Sequence, residues 1–129
     1  MIRLLDTNAY VALLKGDSKV ASLVRVSEQL VLSMVVVGEL LYGFRHGNRY
    51  EENASLLDDF LSEPRVSVLA VTRTTADRFG RIAAALRKAG TPIPTNDIWI
   101  AAHTFESGAE LLTYDRHFER VPGLPALVL

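Results

Sequence analysis

The chain has 129 residues, which bounds it to one domain of ordinary size around a single hydrophobic core. Lys and Arg total 14 against 15 Asp and Glu, and the resulting net charge of −1 argues against a plain nucleic-acid-binding module, which is usually basic. The absence of cysteine excludes disulfides, thiolate catalysis and cysteine-ligated zinc.

The opening run Ile2-Arg3-Leu4-Leu5 reads as a buried strand that delivers Asp6 to its C-terminal end, and Thr7-Asn8 leads into the apolar helix Ala9–Leu14. A strand starting at residue 2 leaves no room for a signal peptide, so a cytosolic location is the default expectation. Lys15-Gly16-Asp17-Ser18 is a turn in which Gly16 closes one helix and Asp17 or Ser18 caps the next, expected over Lys19–Ser27. Leu30-Val31-Leu32 forms a second strand. Between Met34 and Arg45, the residues Val37, Leu40, Leu41 and Phe44 trace a helical stripe, while Met34, Val35, Val36 and Tyr42 cover much of the remaining surface. Such a helix is expected to pack on more than one side, and Glu39 is the one charge in its middle. Its apolar stretch is too short and too interrupted to span a bilayer.

His46-Gly47-Asn48 ends that helix, and Arg49–Glu63 reads as a more exposed one with Ala54, Leu57 and Leu61 inward. Val66–Val71 is a third strand. Thr72–Lys88 is strongly amphipathic, with Ala76, Phe79, Ile82, Ala83 and Leu86 facing in. The two-proline loop Thr91–Pro94 runs into a helix for which Thr95 is the expected N-cap, placing Asp97 in the first turn before the closing Gly108. Leu111-Leu112-Thr113 is a fourth strand ending near Asp115, and Ala126–Leu129 is the last. Strands alternating with helices predict an α/β fold with a mainly parallel sheet covered on both faces.

Four carboxylates are the candidate functional groups, and each has an innocent reading. Asp6 can cap a helix, Asp97 can sit favourably in a helix dipole, and Asp115 can cap a turn. Glu39, on an apolar helix, must be paired, metal-bound or protonated. In a parallel sheet, however, strand ends and the helix starts that follow them share one edge, so all four can converge there. Carboxylates packed together raise one another's pKa values unless cations compensate, and an all-oxygen set suits Mg²⁺ or Mn²⁺.

Five stretches carry a family resemblance. They are Leu5-Asp6-Thr7-Asn8, Val37-Gly38-Glu39-Leu40-Leu41-Tyr42-Gly43, Pro94-Thr95-Asn96-Asp97-Ile98-Trp99-Ile100-Ala101-Ala102, Leu112-Thr113-Tyr114-Asp115-Arg116-His117-Phe118, and Val121-Pro122-Gly123-Leu124. In this order the chain resembles the PIN-domain ribonucleases, and among them the VapC toxins of toxin–antitoxin systems. The resemblance implies a single PIN domain over residues 1–129, a three-layer α/β/α sandwich around a short, mainly parallel sheet. It also implies a Mg²⁺-dependent endoribonuclease inhibited by a VapB-type antitoxin, with Asp6, Glu39, Asp97 and Asp115 as the metal-site residues. Asp6 and Asp97 are the first choices for direct ligands. Thr7, Asn8, Asn96 and Thr113 would orient carboxylates or waters. Arg45, Arg49, Arg116 and His117 are candidate RNA contacts, while His103 reads as structural. Tyr42, Phe44 and the apolar helices offer surface for a homodimer and an antitoxin groove, and an antitoxin arginine could enter the acidic pocket. A PIN-domain ribonuclease outside a toxin–antitoxin system, or a non-catalytic interaction module, are the alternatives. A haloacid-dehalogenase-like phosphatase would want a second acid where Asn8 stands.

Overall fold

The computed structural model describes residues 1–129. Five strands form one parallel sheet: β1 (Ile2–Leu5), β2 (Gln29–Ser33), β3 (Val66–Leu69), β4 (Glu110–Thr113) and β5 (Ala126–Val128), in the order β3-β2-β1-β4-β5. The central strand β1 pairs on both sides, with Leu4 opposite Val31 of β2 and Leu111 of β4. Because both its faces are covered, it reads as an apolar run, and Leu4 and Leu5 are fully buried.

Six α-helices cover the sheet: α1 (Thr7–Leu14), α2 (Ser18–Val26), α3 (Met34–His46), α4 (Tyr50–Leu61), α5 (Arg73–Ala89) and α6 (Thr95–Ser107). Local chemistry sets their ends. Asp17 caps α2 by accepting from the Lys19 and Val20 amides, and Thr72 caps α5 in a reciprocal pairing with Thr75. Gly90 and Gly108 close α5 and α6 at φ +72° and +69°, a left-handed conformation that glycine adopts without strain.

Several details depart from the expectations. Thr95 is not the cap of α6; Pro94 holds that position without a side-chain bond, its carbonyl accepting from the Asp97 amide. The third strand stops at Leu69 instead of Val71, and the Ala70 carbonyl faces the His103 ring instead of a ladder partner. Ala76 is exposed, and Thr75 is the residue buried there, donating to Glu106 at 2.7 Å. Phe44 is buried, so the surplus apolar surface of α3 consists of Met34 and Tyr42, 49% and 69% exposed. His103 is structural, as expected: it is fully buried between Ser33 Oγ and the Ala70 carbonyl. A short 3₁₀ helix, Arg116–Arg120, follows β4 and was not anticipated.

The chain builds β1, β2 and β3 outward in one direction, then crosses back through α5 and α6 to place β4 on the other side of β1. The boundary between β1 and β4 is therefore the point where strand order reverses. Open α/β sheets bind ligands just outside the strand ends at that position.

Candidate active site

Asp6 leaves the end of β1 and Asp115 follows β4, so they flank this reversal directly. Asp97 arrives on the first turn of α6 and Glu39 on α3. All four line one cleft of about 780 Å³ together with Thr7, Asn8, Val11, Pro94, Thr95, Asn96 and His117. No lysine or arginine lines it.

Asp6 is 4% exposed. One carboxylate oxygen accepts the Thr7 amide at 2.9 Å and the other accepts the Thr113 hydroxyl at 2.7 Å. Burial still pushes its pKa up to about 6, assisted by the charges of Asp97 and Glu39 and opposed by those two hydrogen bonds. Thr113 Oγ1 in turn accepts the Asp115 amide at 2.9 Å, so one hydroxyl fixes both the buried carboxylate and the backbone that carries its neighbour. The Asn8 side chain accepts the Tyr114 amide at 3.0 Å and ties the same segment to α1.

Glu39 is held from both sides. Thr7 Oγ1 donates to Oε1 at 2.6 Å and Asn96 Nδ2 donates to Oε2 at 3.3 Å. Of the four residues expected to orient carboxylates or waters, Thr7 and Asn96 bond Glu39 and the fully buried Thr113 bonds Asp6, while Asn8 bonds the Tyr114 backbone instead of a carboxylate. Asp97 is also raised above the usual carboxylate range, first by burial and further by Glu39 and Asp115, while His117 opposes the rise.

His117, expected as an RNA contact, lies inside the cleft against two of the carboxylates. The 3₁₀ helix turns its ring back over the cleft, with Nε2 at 2.6 Å from Asp97 Oδ2 and Nδ1 at 3.2 Å from Asp115 Oδ1. Nε2 is buried and makes no aligned hydrogen bond despite that short approach. The expected arginines lie elsewhere on the surface. Arg45 stacks over the Tyr50 ring, Arg49 pairs with Glu52 and Arg116 pairs with Glu119. None of them lines the cleft.

Apart from His117, no cationic group pairs with these four carboxylates. Their hydrogen-bond donors hold the negative charge in place without neutralising it. One donor atom each from Asp97, Asp115 and His117 lies within 4.8 Å of the others, with Asp6 and Glu39 on the same cleft wall. A carboxylate-rich set of this kind fits a hard divalent cation.

Comparison with known proteins agrees with this geometry. The PIN domain family matches residues 3–124. Ribonuclease VapC1 of Haemophilus influenzae is 33% identical over 129 residues, covering 96% of this chain and 95% of its own. Ribonuclease VapC2 of the same species is 36% identical over 125 residues, covering 94% and 92%. The crystal structure of VapBC2 from Rickettsia felis, bound to a DNA fragment from its promoter, matches with a TM-score of 0.87 at 30% identity over 98% of both chains. Fold, acidic cleft and full-length similarity coincide, and the chain belongs to the PIN-domain family, among the VapC ribonucleases of VapBC toxin–antitoxin systems.

Proposed function

We propose that this protein is the toxin of such a pair and cuts RNA internally by metal-dependent hydrolysis of phosphodiester bonds. The observation that carries the reading is the convergence of Asp6, Glu39, Asp97 and Asp115 on one cleft that contains no lysine or arginine. Mg²⁺, with Mn²⁺ as a substitute, matches the oxygen-rich donors; Asp6 and Asp97 would hold it directly, Glu39 and Asp115 partly through water. When bound, the cation supplies activation of a water and neutralisation of charge on the phosphate.

The chain's own residues do the rest of the positioning. Thr113 and the Thr7 amide fix the Asp6 carboxylate, and Thr7 and Asn96 fix Glu39, so neither must reorganise when substrate arrives. The exposed guanidinium groups of Arg45, Arg49 and Arg116 would take flanking phosphates outside the cleft. A VapB-type antitoxin is the expected partner, presenting an arginine to the carboxylates. The exposed Met34 and Tyr42 on α3 give apolar area for a homodimer. The whole chain, residues 1–129, would act as a single PIN domain. No helix is long and apolar enough to cross a membrane.

The test is cleavage of RNA by the purified chain with Mg²⁺, with chelator, and with Asp6→Asn. Cleavage should require the cation and vanish in the variant, while circular dichroism and antitoxin binding are retained. Equal cutting by wild type and variant would remove the basis for the assignment.

A further inference from the structure

We propose that His117 is a nitrogen donor of the divalent-cation site, making Asp97, Asp115 and His117 a mixed oxygen–nitrogen set that favours Mn²⁺ over Mg²⁺. The proposal rests on the metal-dependent reading above and adds to it a ligand and a cation preference.

The 3₁₀ helix that begins at Arg116 turns the chain so that His117 points back toward α6, and the fully buried Phe118 beside it anchors the turn in the core. Both ring nitrogens face carboxylates on different elements, at 2.6 Å from Asp97 and 3.2 Å from Asp115. The three donor atoms lie within 4.8 Å of one another, against about 4.2 Å for opposite ligands around an octahedral cation of this size. Adjustments below an ångström close that gap. Nε2 is buried against Asp97 and Nδ1 faces Asp115, so the ring's neighbours in the chain are themselves candidate metal ligands. His103 shows the contrast: its nitrogens face the Ser33 hydroxyl and the Ala70 carbonyl, away from any carboxylate.

A lysine or arginine here would only neutralise the acids. A protonated imidazole pairs with the acids in the same way, but on releasing one proton to solvent it exposes a nitrogen lone pair that can bind metal. Carboxylates alone suit Mg²⁺ and Mn²⁺ alike, whereas an imidazole in the set shifts preference toward first-row transition cations.

The probe is Mn²⁺ alone, bound to the full-length chain and read by electron paramagnetic resonance with electron spin-echo detection of coupled nitrogen. Wild type should bind Mn²⁺ and show ¹⁴N coupling, which becomes ¹⁵N coupling when histidine is isotopically labelled. His117→Asn should keep bound Mn²⁺ without that coupling, and its Mn²⁺-to-Mg²⁺ affinity ratio should fall at least about tenfold. Bound Mn²⁺ without nitrogen coupling in wild type overturns the inference and leaves the metal-dependent reading intact. Tighter binding of both cations by His117→Asn also overturns it, since the ring would then be a competing counter-charge. If wild type leaves all Mn²⁺ free in solution, both readings fall together. The wild-type spectrum needs no variant to fold.

Discussion

Replacing Asp6 by Asn should make the metal-free protein more stable at neutral pH while destroying its activity. In the folded chain the carboxyl titrates near 6, against 3.8 ordinarily, because burial disfavours the charged form. The native state therefore holds an extra proton between those two values. This group's contribution to stability is complete below pH 3.8 and is lost as pH rises through 6. A difference of about 2.2, at roughly 1.4 kcal/mol for each tenfold, amounts to about 3 kcal/mol of destabilisation at pH 7 and above. That shift already includes the hydrogen bonds from Thr7 and Thr113 to the carboxylate. Asparagine avoids the charge and still accepts the Thr7 amide, but its NH₂ must donate to Thr113 Oγ1 where the carboxylate accepted, so the gain should be about 1–2 kcal/mol at pH 7 and nothing at pH 4. Urea unfolding of wild type and Asp6→Asn in chelator, at pH 4, 5.5 and 7.5, measures the difference directly. A variant less stable than wild type at pH 7.5, or a gap that does not change with pH, would refute the reasoning.

Thr113→Val keeps the side-chain shape but leaves an Asp6 oxygen and the Asp115 amide without their shared partner. It should lower stability by about 1–3 kcal/mol and reduce cleavage as well, read by urea melts and RNA turnover. Thr7→Val removes the 2.6 Å bond to Glu39 at a half-buried position, so cleavage should fall more than the unfolding midpoint moves. His103→Ala empties a fully buried site and frees Ser33 and the Ala70 carbonyl; a loss of about 2–4 kcal/mol should appear in thermal melts, with no change in bound Mn²⁺ per folded chain. Cation affinity should fall as pH drops from 7 to 5, by at least about tenfold from Asp6 alone, which must give up a proton to bind metal; isothermal titration across that range checks the sign.

The parts of the site that could be read from the chain were those with a local signature. Asp6 ends an apolar run just before a polar pair and a helix, and Glu39 is a lone charge on an apolar helix; both are found in the cleft. The adjacency of β1 and β4 is nonlocal, since it depends on the crossover through α5 and α6 that no periodicity encodes. The same holds for His117. Arg116–Arg120 has no helical stripe, so nothing local says that the chain turns there and carries an imidazole back to Asp97. Thr95 looked like a cap because its residue type suits one, but Pro94 takes that position and leaves Thr95 in the first turn, at the cleft wall. The Ser33–His103–Ala70 link joins three elements, and only its buried histidine could be anticipated.

The charge that destabilises the site also gives it its selectivity. A structural carboxylate is normally matched by a lysine or arginine, as Arg3 matches Glu110 at 3.1 Å beside β1. In the cleft the chain does otherwise: hydroxyl, amide and backbone N–H groups orient Asp6 and Glu39 while leaving their charge in place. Burial first, and repulsion from the neighbouring carboxylates after it, make Asp6 and Asp97 both bind protons more readily than exposed acids do. Any cation that enters displaces those protons and removes the repulsion at once. A divalent metal and a guanidinium from a partner would relieve the same strain at the same place. Catalytic loading and an antitoxin arginine would then compete for one electrostatic deficit, and Asp6→Asn, which removes one charge of the four, should abolish cleavage while Glu39, Asp97 and Asp115 still hold the antitoxin.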